Sequence, residues 1–421
     1  MKAKILWFSS HTISIEKDSS NELKKNFGRG WVGMLESNLR DYKDYEIAIA
    51  FPNKNIDKIR KSVFGNRVFY EIPFPNSKLK RWYQRFRGKL EGKEFLSKYM
   101  EIIQEYDPDL IHIFGTENSF SQIIYHTKKP VLVDIQGLLT HVTFKWFSHI
   151  SKWDTIKYSS IFHIINLNTH IHQYKIKIKR AKREQDLLRN VKLVSGRTTW
   201  DKMVTTVMAP NASYYHCSRV IKDAFWSHSW KKPENAHKSI LTVMNPDFYK
   251  GLDVVFQTCE KLTEYGLDFT WNVVGVSEKI DYVKIISKKL KLKPNKINVR
   301  FLGKTTSEDI AKMLTEVDFY VHPSYMENSP NSVAEAMIVG TPTIASVTGG
   351  VPDYIDHKKT GWIFQEGDYY MVAGLILNLL NDDNVIKIAE EGRKVARIRH
   401  NPETIAHDAI SNYNNILGIK E

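Results

Sequence analysis

Cysteine is nearly absent. Cys217 and Cys259 are the two in 421 residues, with no paired spacing and no Cys-x-x-Cys. That excludes a disulfide framework and a cysteine-built zinc cage and suits a reducing compartment. Long apolar runs are missing too: none approaches the roughly 20 residues a membrane-spanning helix needs. The opening Met-Lys-Ala-Lys-Ile-Leu-Trp-Phe has a charged start but is not followed by the apolar core of about 7–15 residues and the small-residue cleavage site of a secretory signal. A buried strand is expected there, and a soluble, cytoplasmic protein. Acidic residues are in deficit, 47 against 61 Lys and Arg, for a net charge of +14 and a pI near 9.3. This excess admits nucleic acid, an anionic membrane or phosphorylated small molecules as partners and does not choose among them. Solenoid repeats are absent, as are helix-turn-helix, RNA-recognition and finger signatures, so nucleic acid is a partner favoured by charge alone.

What is present is an alternation. Short β-rich apolar runs at Ile5–Ser9, Glu46–Phe51, Val68–Ile72, Leu110–Phe114, Val131–Asp134 and Val191–Ser195 read as buried strands of a parallel sheet. After the polar, Pro-containing stretch Ser227–Lys238 a second series follows at Ile240–Met244, Phe269–Val274, Val299–Leu302, Phe319–Val321 and Thr343–Ser346. Helical patterns such as Leu252–Tyr265, Ile280–Leu292 and Glu308–Val317 separate its members. Two runs of βαβ units joined by a linker predict an α/β protein of two Rossmann-like, doubly wound domains facing a central cleft, 1–226 and 227–401. In such sheets ligands bind beyond the carboxyl ends of the strands, so the loops that follow strands matter most.

One of these loops is Ser324–Met337, SYMENSPNSVAEAM, in which Glu327 and Glu335 stand eight positions apart. Ser329-Pro330 offers an N-cap hydroxyl and a proline for the first helical position. The backbone amides of Asn331, Ser332 and Val333 would then point out of a helix end, where the macrodipole also favours an anion such as a diphosphate. Glu335, about 7 Å further along the axis, could accept from a ribose, and Glu327 could meet the group attached to the phosphates. The alternative is an exposed loop acid followed by a glutamate that favours a helix start.

The surrounding run Phe319–Phe364 resembles the donor-binding region of retaining GT-B glycosyltransferases, family 4. The resemblance lies in its Glu-x7-Glu pair, the Glu-Ala-Met followed by Gly-x-Pro, the Gly-Gly-x-x-x-x-Ile turn and the later Thr-Gly. Weaker likeness extends over Lys250-Gly251, Val274-Gly275, Phe301-Leu302-Gly303, Asp107–His112 and Val194–Asp201. The resemblance implies a nucleotide-diphosphate sugar, UDP- or GDP-linked, as donor, no resident cofactor and no metal, and a glycan or lipid-linked acceptor in bacterial surface polysaccharide synthesis. It implies Lys250 on the diphosphate, Glu335 on the ribose, Glu327 on the transferred sugar, and Asn331 and Ser332 on the phosphates through their backbones, with Gly275, Asn328 and Pro330 lining the donor. It also implies that the final helix, Glu403–Leu417, returns to the first domain, so that 402–421 belongs with it. A nucleotide-sugar epimerase of the same architecture is the rival enzyme.

The chain departs from the family pattern in two places. Met244, Asn245 and Pro246 stand where the family carries an Arg, leaving Arg197 or another first-domain Arg as the substitute, and Gln136 stands where the family has a His near the reacting sugar. Gln does not titrate, so its expected role is a hydrogen bond to a sugar hydroxyl or the backbone. Gly30, with Gly28 and His11 nearby, occupies the place of a phosphate-approaching loop. His112 in LIHIF reads as a core histidine or a pocket residue, and Asp107-Pro-Asp109, before a strand, reads as a turn. Residues 78–90 interleave Leu79, Trp82, Tyr83 and Phe86 with basic residues, the pattern of a helix on an anionic membrane or of one packing its aromatic stripe on the sheet. The basic run Lys175–Arg183 adds to the membrane reading, and the aromatic Phe144–Tyr158 could line an acceptor site.

Overall fold

The computed structural model describes residues 2–10, 30–64, 66–74 and 94–420, and the backbone of 16–17 and 23–24. The basic stretch 78–90, Gly28 and His11 lie outside the described residues. The chain divides into two compact units. One is Met1–Thr140 with Lys175–Val220 and Asn401–Glu421; the other is His141–Tyr174 with Ile221–His400.

The first unit is built on an eight-stranded sheet in the order Ser213–His216, Leu193–Gly196, Val131–Asp134, Leu110–Phe114, Ala3–Ser9, Tyr45–Asn53, Arg67–Pro73, Arg60–Phe64. All neighbours pair in parallel except the last two. Central strands are covered on both faces, which is why Ile5, Leu6, Trp7 and Phe8 form a continuous apolar run rather than an alternating one. The helix Pro402–Leu417 begins on Asn401, whose side chain accepts from the Thr404 N–H, with Pro402 in its first turn, and ends on left-handed Gly418. Its Ile405, Ile410 and Tyr413 join Trp7, Ile47 and Leu110 in one core. The Tyr413 hydroxyl accepts from Trp7 Nε1 at 3.1 Å and lies 2.8 Å from His112 Nδ1. Burial, with Arg197 nearby, lowers the His112 pKa to about 3, so it is a neutral core histidine. Asp107 and Asp109 sit in the turn before Leu110–Phe114, Asp107 paired with Lys129 and Asp109 accepting from the Lys4 N–H.

The second unit has a six-stranded, wholly parallel sheet, ordered Val299–Gly303, Phe269–Val274, Lys238–Val243, Phe319–His322, Thr343–Val347, Trp362–Gln365. The expected helix Leu252–Tyr265 has those ends, and its neighbours run Asp281–Leu290 and Ser307–Glu316. In the two large sheets three strands escaped the sequence pattern: Arg60–Phe64, Ser213–His216 and Trp362–Gln365. Each is an edge strand; the first two show alternating or half-exposed residues rather than a buried run, because an edge is solvated.

The expected division at residue 226 is corrected in two ways. Residues 141–174 group with the second unit, where Ile150 is buried in the core and Phe147 and Tyr158 pack against it. Lys145 also pairs there with Glu366. Residues 221–226 follow, since Ile221 and Phe225 are buried beside Leu241, Val274 and Tyr320. Apolar burial, at about 25 cal/mol per Å², outweighs the sequence order that made these segments look like the tail of the first domain. No helix of the described residues is long and apolar enough to cross a membrane.

Candidate active site

In the second sheet the chain adds strands on one side of Lys238–Val243 and then returns to add Phe319–His322 on the other. The loops that leave these two strands therefore diverge at the topological switch point, where the carboxyl edge of a parallel sheet opens a crevice. One loop carries Lys250 and the other Glu327.

Lys250 closes a short 3-10 turn, Phe248–Lys250, and is followed by Gly251 at φ 79°. A Cβ on Gly251 would lie 2.1 Å from the Pro323 carbonyl oxygen, so only glycine lets the two loops touch. The Tyr325 N–H donates to the Tyr249 carbonyl at 2.7 Å, and the Tyr325 hydroxyl donates to Asp253 at 2.7 Å. Held in this way, Lys250 Nζ donates to Glu327 Oε1 at 2.5 Å. The same oxygen accepts from Ser324 Oγ at 2.9 Å and lies 3.0 Å from His322 Nε2. Burial opposes ionisation of Glu327, but the Lys250 ammonium and the His322 contact outweigh it and hold the carboxyl well below the usual range. Oε2 has no hydrogen bond among the described residues. Gly349, in the Gly-Gly turn, backs the Glu327 carbonyl so closely that a Cβ would come within 1.6 Å.

The helix Asn331–Val339 starts one residue later than expected. Pro330 is its N-cap, with extended φ −73° and ψ 112° and no side-chain cap. This corrects the expected Ser329 cap: extended backbone at Pro330 sets Ser329 a residue too early, and its buried hydroxyl finds no partner. The Val333 N–H is also removed from the expected anion seat, since it donates to the Pro330 carbonyl at 3.2 Å. Asn328 is buried beside this helix start. Ser332 keeps its Oγ 3.4 Å from His322 Nδ1, so His322 links the helix end to Glu327. Glu335, partly buried, accepts no hydrogen bond from the described residues. Burial raises its pKa to about 7, opposed by the Lys222 ammonium, whose Nζ donates to Ser307 Oγ at 2.6 Å. Gly275, after Phe269–Val274, donates its N–H to the Gly303 carbonyl at 2.6 Å. At the position of the missing Arg, Met244 is buried and its N–H donates to Val274.

Gln136, Arg197 and Gly30 belong to the first unit. All three stand at the carboxyl edge of its sheet or at a helix start. The Gln136 side-chain nitrogen is buried without a hydrogen bond among the described residues, and the Gln136 backbone carbonyl accepts from Arg219 Nη2. Arg197 is almost wholly buried, donating to Asp134 Oδ2 at 2.8 Å and to the Ile135 carbonyl and lying 5.0 Å from the Trp31 ring centroid. These surroundings argue against Arg197 as a phosphate ligand, because its side chain is closed off from solvent between Asp134 and the Ile135 carbonyl, whereas the Lys250 side chain is still in part exposed. Gly30 is the N-cap of Trp31–Asn38 and its carbonyl accepts from the Gly33 N–H. Sequence reasoning missed His322, Ser324 and Lys222. A His-Pro pair at a strand end was a usable signal for the first; Lys222 had none.

Comparison with known proteins adds four findings. Residues 224–397 match the family of glycosyl transferases group 1. The amylovoran biosynthesis glycosyltransferase AmsK of Erwinia amylovora is 31% identical over 146 residues, 33% of this chain and 35% of that protein. Across the curated relatives the chain matches first, it spans 35% to 56% of their length. The fold is that of sucrose-phosphate synthase from Thermosynechococcus elongatus, at TM-score 0.72 and 15% identity over 100% of both chains. It is also that of Anabaena HepE in complex with UDP and glucose, at TM-score 0.60 and 15% identity over 98% of this chain and 100% of that one. The two units thus have the GT-B fold.

Proposed function

With residues 224–397 belonging to the glycosyl transferases group 1 family, we propose that the protein is a retaining, metal-independent glycosyltransferase. It moves a sugar from a nucleotide-diphosphate donor to a glycan or lipid-linked acceptor at the cytoplasmic side of the membrane, in bacterial surface polysaccharide synthesis. The observation that carries this reading is the Lys250–Glu327 pair at the switch point, beside a helix N-terminus and a glutamate whose carboxyl accepts no hydrogen bond from the described residues.

Transfer breaks the bond between the anomeric carbon and a phosphate oxygen, and the electron pair leaves with the nucleoside diphosphate. The acceptor oxygen bonds to that carbon and loses its proton. Negative charge grows on the departing oxygen, so a positive group already in place lowers the barrier. Lys250 and the amide of Ser332 supply it. Glu327, ionised and held on one oxygen, keeps the other free for a sugar hydroxyl and faces the positive charge that develops at the anomeric carbon. Glu335 takes the ribose hydroxyls. The UDP and glucose of the HepE complex support a UDP-sugar ahead of a GDP-sugar, and the capsular polysaccharide biosynthesis in the name of Staphylococcus aureus CapM supports a glycan acceptor.

A thermal-shift screen of UDP-, GDP-, ADP- and CMP-sugars tests the donor, since a ligand at 100 times its dissociation constant adds about 2.7 kcal/mol of stability. Product from the cognate donor should keep the donor's anomeric configuration by NMR; inversion overturns the retaining reading. Conversion of the donor with no acceptor present points to the epimerase instead.

A further inference from the structure

The second unit carries a concentration of outward-facing apolar side chains that the site above does not use. The helix Ile161–Ile165 contains no buried residue; Ile161, Phe162 and Ile165 are exposed by 73%, 68% and 68%. On the helix before it, Lys152–Lys157, Trp153 is 78% exposed. Both helices are fastened by polar groups instead. The Ser160 N–H donates to Asp281 Oδ2 at 2.7 Å and His163 Nδ1 lies 2.8 Å from the same oxygen. Ser151 and Asp154 form a reciprocal capping box, and Asp154 pairs with Lys289 at 3.1 Å. Polar side chains toward the protein and apolar ones toward water is the reverse of a helix that folds onto a core. Exposed apolar side chains concentrated on two successive helices in this way mark an interaction surface.

The charge around it identifies the partner. Asp154 is the single acid between His141 and Tyr174, and Lys289 neutralises it. Lys152 and Lys157 stand on the helix that bears Trp153, and Lys288 lies 5.5 Å from the centroid of the Tyr158 ring. An apolar face with an interfacial Trp, bordered by lysines whose stems can lie along the surface, complements acyl chains below and anionic headgroups above. We propose that residues 152–165 are a docking surface for an anionic phospholipid bilayer. The assignment rests on this patch alone; it needs neither the donor chemistry nor the 78–90 stretch.

Flotation of the full chain with phosphatidylglycerol–phosphatidylcholine vesicles, against phosphatidylcholine alone, tests it. The parent should float with the anionic vesicles. The triple variant Trp153→Ser, Phe162→Ser, Ile165→Ser should lose about tenfold or more in partitioning. Lys152→Glu with Lys157→Glu should lose binding at low salt, by a margin that shrinks as salt rises. Lipids brominated on their acyl chains should quench part of the parent's fluorescence, and that part should vanish in Trp153→Phe. Every substituted side chain faces solvent, so the fold is not at stake, and the nucleotide-sugar thermal shift in each variant verifies it. The proposal falls if the parent binds no vesicle, or if the triple variant binds as well as the parent, with binding residing instead in the basic residues of 78–90. It falls too if the triple variant only converts a dimer to a monomer, which would make the patch a contact with a second copy. Loss of the donor shift with normal flotation would overturn the proposed transfer reaction and leave the docking surface standing.

Discussion

Glu327 and Glu335 lie on one loop-to-helix segment, yet their surroundings are opposite. Glu327 Oε1 accepts from Lys250 and Ser324 and faces His322, and the carboxyl is held ionised. Glu335 has no side-chain hydrogen bond among the described residues, and burial, opposed by the Lys222 ammonium, raises its pKa to about 7. In the proposed reaction the first acid is arranged for a developing positive charge, and the second has its carboxyl open to hydroxyl donors. The pH dependence of folding differs in sign as well. Glu327, depressed in the folded state, contributes stability above its unfolded pKa that is lost as pH falls. Glu335, raised, retains a proton that the unfolded chain releases near pH 4.5, so stability falls as pH rises toward about 7.

The largest effect expected from breaking this contrast is on turnover. Glu327→Gln should lower kcat by about 100-fold or more, in the range of losing one preorganised electrostatic contact. It should also destabilise the protein by about 2–4 kcal/mol near neutral pH, because Lys250 loses its counter-charge; steady-state kinetics and denaturant titration read the two. A parental rate from a folded variant would show the acid to be structural. Lys250→Ala should come next, with kcat down and KM up together, since the diphosphate is bound before and during departure. Product formation over a donor series separates the two constants.

Glu335→Gln should instead raise KM about 10-fold or more while leaving kcat near parental, the mark of lost uniform binding. The same variant should gain on the order of 1–3 kcal/mol of stability above pH 7 and none near pH 4, visible as a rise of a few degrees in Tm. Ribose hydroxyls favour the charged carboxylate, so parental affinity for the nucleotide should increase as pH rises through about 7, and calorimetry on Glu335→Gln should show a flat profile. Equal slopes in the two proteins would remove Glu335 from the donor site. The smallest expected effect is that of a chelator: excess EDTA should leave transfer unchanged, and abolition rescued by manganese would refute metal independence.

Much of this contrast was legible because its parts are local. Both glutamates, the loop and the helix start fall within Ser324–Met337, and the strand before them is an apolar run that parallel pairing requires. Lys250 was legible through its Gly251 neighbour and family likeness, although it stands 77 positions from Glu327. What failed depended on neighbours that no local pattern specifies. The Ser329 cap failed on the backbone angle at Pro330. Arg197 or another first-domain Arg was the expected substitute on the phosphate, and the parallel pairing of Val131–Asp134 with Leu193–Gly196 sets Arg197 beside Asp134, a neighbour that no local pattern announces. Residues 141–174 follow the first unit in sequence and pack with the second.

The sequence by itself determined two doubly wound sheets, because runs buried on both faces and the intervening amphipathic helices leave few other ways to cover apolar surface. It also determined which residues stand at the carboxyl edge of the second sheet, since those simply follow strands. The order of the strands decided the rest. It set Lys250, 77 positions away in sequence, against Glu327 and left Glu335 without a side-chain hydrogen bond among the described residues, and ionisation follows burial and nearby charge, which come in part from chain segments far apart. The exposed helix at Ile161–Ile165 was decided in the same way: its composition would suit a core, and the anchoring of Ser160 and His163 on Asp281 turns it outward.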